Sequence, residues 1–170
     1  MGSIAVQIAK ADGARVTGVD GPEKLEMIRL LGADEAIDYT RSDFTRGPDR
    51  YDLILDVAST LSLSDCKRVL TPHGIYVFVG HDHFGRARGR ILGSVPHFFG
   101  LIARGRFDDH LPKPNSARPS KQDTMATLQA LLDSGKLTPV IARTYPLSEV
   151  PAALLALQEG RALGRIIITP

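Results

Sequence analysis

Cysteine is nearly absent from these 170 residues, with Cys66 standing alone, so no internal disulfide and no thiolate-rich zinc cluster can form within them. That usage fits a reducing compartment, the cytoplasm first. Net charge is small too, at +2 from 21 basic and 19 acidic side chains, which gives no reason to expect a nucleic acid or an anionic membrane as partner. No uninterrupted apolar run approaches the roughly 20 residues that span a bilayer. The first residues show neither the basic start, nor the apolar block, nor the cleavage site of a secretory leader. Internal repeats and low-complexity stretches are missing as well.

What remains is an ordinary globular composition, 43% hydrophobic and 24% charged, enough to bury a core at about the size of one domain. The chain opens on a helix: Ile4, Ala5, Ile8 and Ala9 fall at helical spacing, and Gly13 ends the segment as a cap residue does. A short β-branched strand over 14–20 follows. The stretch GPEKLEMIRLLGA is helical, with Pro22 in its first turn and Gly32 just past its last. Strands are expected at 35–39, 51–57 and 74–80, with a helix over 61–70 between the last two. Alternation of this kind predicts a parallel sheet covered on both faces.

After Gly80 the texture changes. HDHFGRARGR is a polar, basic loop, ILGSVPHFFGLIARG is apolar and helical in character, and RFDDHLPKP is a weak strand candidate running into a Pro-rich loop. KQDTMATLQALLDSGKL reads as a helix ending at Gly135, and the remainder as strand (138–147), helix (148–160) and strand (161–170).

The pieces GSIAVQIAK, GARVTGVD, LGADEAIDY, YDLILDV, RVLTPHGIYVFVG, GKLTPVIARTYPLSEVPAAL and GRIIITP, in this order and spacing, resemble the cofactor half of the medium-chain dehydrogenase/reductase superfamily, in its zinc-type alcohol dehydrogenase and quinone oxidoreductase branches. The resemblance implies an α/β fold, a doubly wound, Rossmann-like parallel sheet. It also places a strand and a G-x-G-G-V-G turn directly before the opening helix, and the 170 residues lack both. In the strand order 3-2-1-4-5-6 that first strand is central. Residues 1–143 are then a truncated dinucleotide-binding domain, and 144–170 supply the helix and strand that in the family complete an N-terminal catalytic domain.

Gly2 would be the last glycine of the missing turn, and with Ser3 it heads a helix whose free N–H groups suit a pyrophosphate. Asp20 closes a strand where a carboxylate accepts ribose hydroxyls and repels a 2′-phosphate, which favours NAD. Lys24 and Tyr39 sit where NADPH-using quinone reductases resemble this chain and hold that phosphate, so the cofactor is NAD or NADP with NAD favoured. The plainer reading makes Asp20 a cap of the next turn and Lys24 a solvated helix residue. Val57, Ala58 and Ser59 end one strand, and Val79 and Gly80 another, at the carboxyl edge where ligands of open α/β folds sit. The resemblance puts them beside the adenosine ribose and the nicotinamide. No catalytic acid or base and no metal ligand can be named: His81 and His83 are two apart without a third donor, and His73, His97 and His110 read as loop residues.

The expected function is therefore an NAD(P)-dependent oxidoreductase of the alcohol dehydrogenase and quinone reductase type, of which this chain is the cofactor-binding part. Its expected partners are the dinucleotide and either an N-terminal catalytic domain or a homodimer partner. Two alternatives stand beside it. One is a non-catalytic nucleotide-binding or interaction remnant with open strand edges. The other is a methyltransferase, against which GKLTPVI and GRIIITP argue.

Overall fold

Residues 2–57, 61–79, 107–113, 119–159 and 164–170 are described by a computed structural model of the chain. The expectations for 81–105, including the HDH loop, the arginines at 86, 88 and 90 and the apolar helix, lie outside the described residues, as do Ala58, Ser59 and Gly80. The described elements run α1 (Gly2–Ala11), β1 (Thr17–Asp20), α2 (Leu25–Leu30), β2 (Glu35–Asp38), β3 (Tyr51–Asp56), α3 (Leu63–Lys67), β4 (Leu70–Phe78), α4 (Lys121–Asp133), β5 (Ile141–Pro146), α5 (Val150–Gln158) and β6 (Arg165–Thr169). The strands form three parallel pairs, β1 with β2, β3 with β4, and β5 with β6. The α/β alternation and the parallel pairing are those expected from the sequence.

Two compact units divide the chain. One is built from Met1–Ser42 with Pro119–Pro170, the other from Asp43–Arg118.

In the first unit the helix ends follow the glycines. Gly13, Gly32 and Gly135 all take positive φ, at 79°, 100° and 71°, a conformation that costs a side-chain-bearing residue about 1–2 kcal/mol. Two strands are shorter than the pattern suggested, each for a visible reason. Val16 does not join the β1 ladder: its N–H donates to Asp34 Oδ2 at 2.7 Å and its carbonyl takes the N–H groups of Asp34 and Glu35. Thr138 does not join β5, because the Gln7 side chain claims both of its backbone groups. Gln7 Nε2 donates to Thr138 O at 3.0 Å, and Gln7 Oε1 accepts from Thr138 N at 2.7 Å. That buried amide ties α1 to the segment before β5.

In the second unit, Leu63, Cys66, Leu70, Tyr76 and Leu111 form the core, with Ile54, Leu61 and Phe78 packed on it. Ser62 caps α3 through a reciprocal pair with Asp65. The strand expected at 74–80 begins earlier, at Leu70, which pairs with Tyr51 before the register shifts to Leu53 opposite Ile75. Thr71, Pro72, His73 and Gly74 lie across that shift. Pro72 has no N–H to donate, which is why the regular ladder resumes only at Ile75.

The weak strand candidate is not a strand over its described part, 107–113. It is nonetheless fixed to β4, since Tyr76 N donates to His110 O at 2.7 Å and His110 Nδ1 donates to Gly74 O at 2.8 Å. His110 is thus a half-buried strut and not the open loop residue its surroundings in the sequence suggested.

Candidate functional site

In parallel α/β sheets the carboxyl ends of strands carry the ligands, and Asp20, Lys24 and Tyr39 lie at that edge of the first unit. β1 and β2 pair in register with Asp20 opposite Asp38, so both strands end in a carboxylate on the same edge. Asp20 Oδ1 accepts from Gly21 N at 2.8 Å and lies 3.2 Å from Lys24 Nζ. Its Oδ2 has no hydrogen-bond partner among the described residues. Tyr39 follows β2, donates its backbone N–H to Asp20 O at 3.3 Å, and is 63% exposed. Asp20, Lys24 and Tyr39 are therefore brought together, and the two residues of opposite cofactor preference are each other's ion partner.

Asp38, which the sequence reading passed over, is tied up more tightly. Thr40 donates its hydroxyl at 2.6 Å and its N–H at 2.8 Å to Asp38 Oδ1, while Arg41 stands 3.6 Å from Oδ2. The Thr40 hydroxyl chiefly, helped by its N–H and by Arg41, holds the Asp38 carboxyl below the ordinary carboxylate range.

Gly2 and Ser3 form the first turn of α1. The far end of that helix is anchored at the start of β1, where Lys10 Nζ donates to Ala14 O at 3.1 Å and to Asp34 at 2.9 Å. Ten residues at about 1.5 Å each carry α1 roughly 15 Å back from there. A Cβ at Gly2 would meet nothing within 4 Å.

Val57 and Val79 belong to the second unit. Val57 follows directly on β3, and Val79 N donates to Asp56 O at 2.8 Å, which joins the two strand ends. Beneath them lies a pair that the sequence reading missed. Tyr76 Oη donates to Asp56 Oδ2 at 2.7 Å, with both residues buried. Burial first, then that hydrogen bond and the carboxylate charge, push the tyrosine hydroxyl well above its ordinary range. Cys66 is packed into the same core, and burial and then the Asp56 charge push its thiol up to about 12. It is a neutral packing group, not a nucleophile.

A hollow of about 380 Å³ lies beside β5, β6 and α5, including Arg143, Tyr145 and Glu149, and another of about 670 Å³ includes Arg46, Arg50 and Arg68. Neither includes a predicted site residue.

A family model described as zinc-binding dehydrogenase matches residues 31–168. The chain belongs to the zinc-binding dehydrogenase family. Among curated relatives, mouse "NAD(P)H oxidoreductase RTN4IP1, mitochondrial" is 31% identical over 183 residues, covering 99% of this chain and 45% of the mouse protein. The Arabidopsis thaliana "NADPH-dependent alkenal/one oxidoreductase, chloroplastic" is 27% identical over 175 residues, covering 100% and 38%. Among solved structures, the Pseudomonas syringae quinone oxidoreductase matches with a TM-score of 0.69 at 26% identity, over 99% of this chain and 53% of that one. The chain spans less than half the length of these curated relatives, in agreement with its resemblance to one part of the superfamily.

Membership in a zinc-binding dehydrogenase family raises the question of zinc. Among the described residues no three His, Cys, Asp or Glu side chains come together as a ligand set, and Cys66 is buried as a protonated thiol. These residues do not fit a zinc site. No described helix is long and apolar enough to cross a membrane.

Proposed function

We propose that this chain is the dinucleotide-binding part of an NAD(P)-dependent oxidoreductase of the alcohol dehydrogenase and quinone reductase type. Its reaction is hydride transfer between nicotinamide and an alcohol, aldehyde, ketone or quinone. The observation that carries this reading is Asp20, placed at the end of β1 with Oδ1 fixed by Gly21 and Oδ2 open to a ribose hydroxyl. When bound, the nicotinamide supplies the hydride. Asp20 takes the adenosine ribose and Gly2 and Ser3 the pyrophosphate; by the family resemblance, Val57, Ala58 and Ser59 are assigned to the adenosine ribose and Val79 and Gly80 to the nicotinamide. These residues bind and orient.

Residues 144–170 are proposed to pack against a separate catalytic domain. Support comes from α5 and β6, where Leu154, Leu155, Leu157, Ile167 and Ile168 are each more than a third exposed, an apolar display that usually marks a contact surface. The single buried thiol fits a reducing compartment such as the cytoplasm, although the names of two relatives place them in mitochondria and chloroplasts.

Fluorescence titration of the purified chain with NADH tests the reading. Saturable binding is expected, weakened about tenfold by Asp20→Ala, which removes a charge-assisted hydrogen bond worth roughly 1.5 kcal/mol or more. Absence of binding, or an Asp20→Ala affinity equal to wild type, would count against it. The second reading, a non-catalytic interaction module, draws on β1 pairing only with β2 among the described strands; self-association of the chain without NADH binding would favour it.

A further inference from the structure

The geometry points to an anion site in the second unit, at the amino end of β3 and β4, where Arg46, Arg50 and Arg68 take a phosphate group, either free or borne on a small molecule. It does not depend on the cofactor reading above, since Val57 and Val79 follow the same two strands at their other ends.

Three short segments converge there. Phe44–Arg46 forms a single 3-10 turn capped by Asp43, whose Oδ1 accepts the Thr45 N–H at 3.0 Å and the Thr45 hydroxyl at 2.7 Å. Phe44 packs edge-on against Tyr51 with 5.9 Å between ring centres, which holds this turn to the first residue of β3. Tyr51 N in turn donates to Val69 O at 2.8 Å, so the chain entering β4 lies beside the chain entering β3. The hollow of about 670 Å³ is lined by Thr45, Arg46, Gly47, Arg50, Arg68 and Val69, room enough for a small organic ligand. Thr45 and Val69 are buried and the three arginines exposed, so a fixed frame carries accessible cations.

Surface arginines are ordinarily matched by carboxylates or solvated, and here the matching is incomplete. Arg46 Nε lies 3.2 Å from Asp43 Oδ2, and Arg68 Nη2 lies 2.8 Å from Asp65 Oδ1. Neither pair forms the two parallel hydrogen bonds of a guanidinium–carboxylate fork among the described residues. Arg50 has no carboxylate partner among them at all. Its Nη1 donates to the carbonyls of Gly47, Pro48 and Asp49 at 3.5, 3.0 and 2.9 Å, contacts that position the guanidinium without neutralising it. Asp49 adjoins Arg50 in the chain, but its side chain does not line the hollow. The remaining nitrogens of Arg50, Nε and Nη2, are left as donors.

A phosphate fits these donors better than another carboxylate does. It carries about −1.5 to −2 charges near pH 7 and offers three acceptor oxygens, so several guanidinium edges can bond it at once while Asp43 and Asp65 keep their own contacts.

Calorimetric titration of the intact chain with inorganic phosphate, pyrophosphate and ribose 5-phosphate tests this. Saturable binding is expected, weakened about tenfold in Arg50→Gln by loss of a charge-assisted contact and weakened also in Arg46→Gln. Arg50→Lys, which keeps the charge and loses the fork, should fall between wild type and Arg50→Gln. Arg29→Gln removes the same charge from an exposed position on α2 and should leave the affinity unchanged. Equal affinity for inorganic phosphate and ribose 5-phosphate identifies the free ion as the ligand, and tighter ribose 5-phosphate identifies a phosphorylated small molecule. Failure of all three probes to bind overturns the proposal. So does an Arg50→Gln affinity equal to wild type, as capture at the α1 N-terminus would give, or an equal loss in Arg29→Gln. Unaltered circular dichroism spectra are expected, because Arg46 and Arg50 are exposed, and confirm that the variants fold.

Discussion

Asp56 and Tyr76 show how much a single hydroxyl can hold. The carboxylate is buried in the core of its unit and accepts the Tyr76 proton at 2.7 Å, and a buried anion that loses a donor costs about 1–3 kcal/mol. Tyr76→Phe should therefore lower the unfolding free energy read from urea titration by that amount, whereas Tyr51→Phe, on a residue only half-buried, should cost less. Equal losses in the two variants would contradict the account. Neither Asp56 nor the Asp20–Lys24 pair was legible as a contact in the sequence. Asp56 looked like one more acidic residue at a strand end, because which strand neighbour carries a tyrosine hydroxyl is a matter of register, and register is set by pairing that no local pattern encodes. Asp20 and Lys24 were singled out separately, as opposing signals, since their spacing runs from a strand into a turn and so has no fixed side-chain geometry to read. Ala58, Ser59 and Gly80 stay where the sequence analysis left them, as proposals.

At the scale of elements, legibility was better where one residue type has one physical reason to be present. Gly13, Gly32 and Gly135 mark helix ends because the left-handed turn excludes most other residues, and all three have positive φ. Strand limits were less readable. The apolar run around Thr138 continues toward β5 in sequence, yet Gln7 intercepts it, and a glutamine within the apolar stretch IAVQIA was the only sign of that. Gln7→Leu keeps the bulk and removes the amide, leaving the two Thr138 backbone groups without it. A loss of about 1–3 kcal/mol is expected, seen as a fall of several degrees in the thermal midpoint at the scaling for a chain this long. A midpoint within a degree of wild type would show that the amide link contributes little.

For the molecule as a whole the ion pairs share one sign. Asp34, Asp38, Asp43, Asp65, Asp108 and Asp109 are all held below the ordinary carboxylate range. The largest causes are the Val16 N–H for Asp34, the hydroxyls of Thr40, Thr45 and Ser62 for the next three, and Lys67 and Lys113 for the last two. A carboxyl depressed in the folded state contributes stability that is present above its unfolded value, about 3.9, and is lost as pH falls through the lower folded value. The thermal midpoint should thus be level from neutral to about pH 5 and decline below about pH 4. Most of these groups are exposed, so the decline is gradual and is blunted further by salt. A midpoint that rises on acidification would reverse the sign argued here.

The hydrogen bonds between Gln7 and Thr138 join residues 131 apart in the chain. During synthesis Gln7 leaves the ribosome before its partner, which emerges only after the entire Asp43–Arg118 unit has been made. The continuous unit can therefore settle while α1 still waits, its buried amide solvated and its apolar face uncovered. Closing so long a loop is slow as well as late. In the nascent chain α1 is thus the natural stretch for a chaperone to shield until the last third of the sequence arrives.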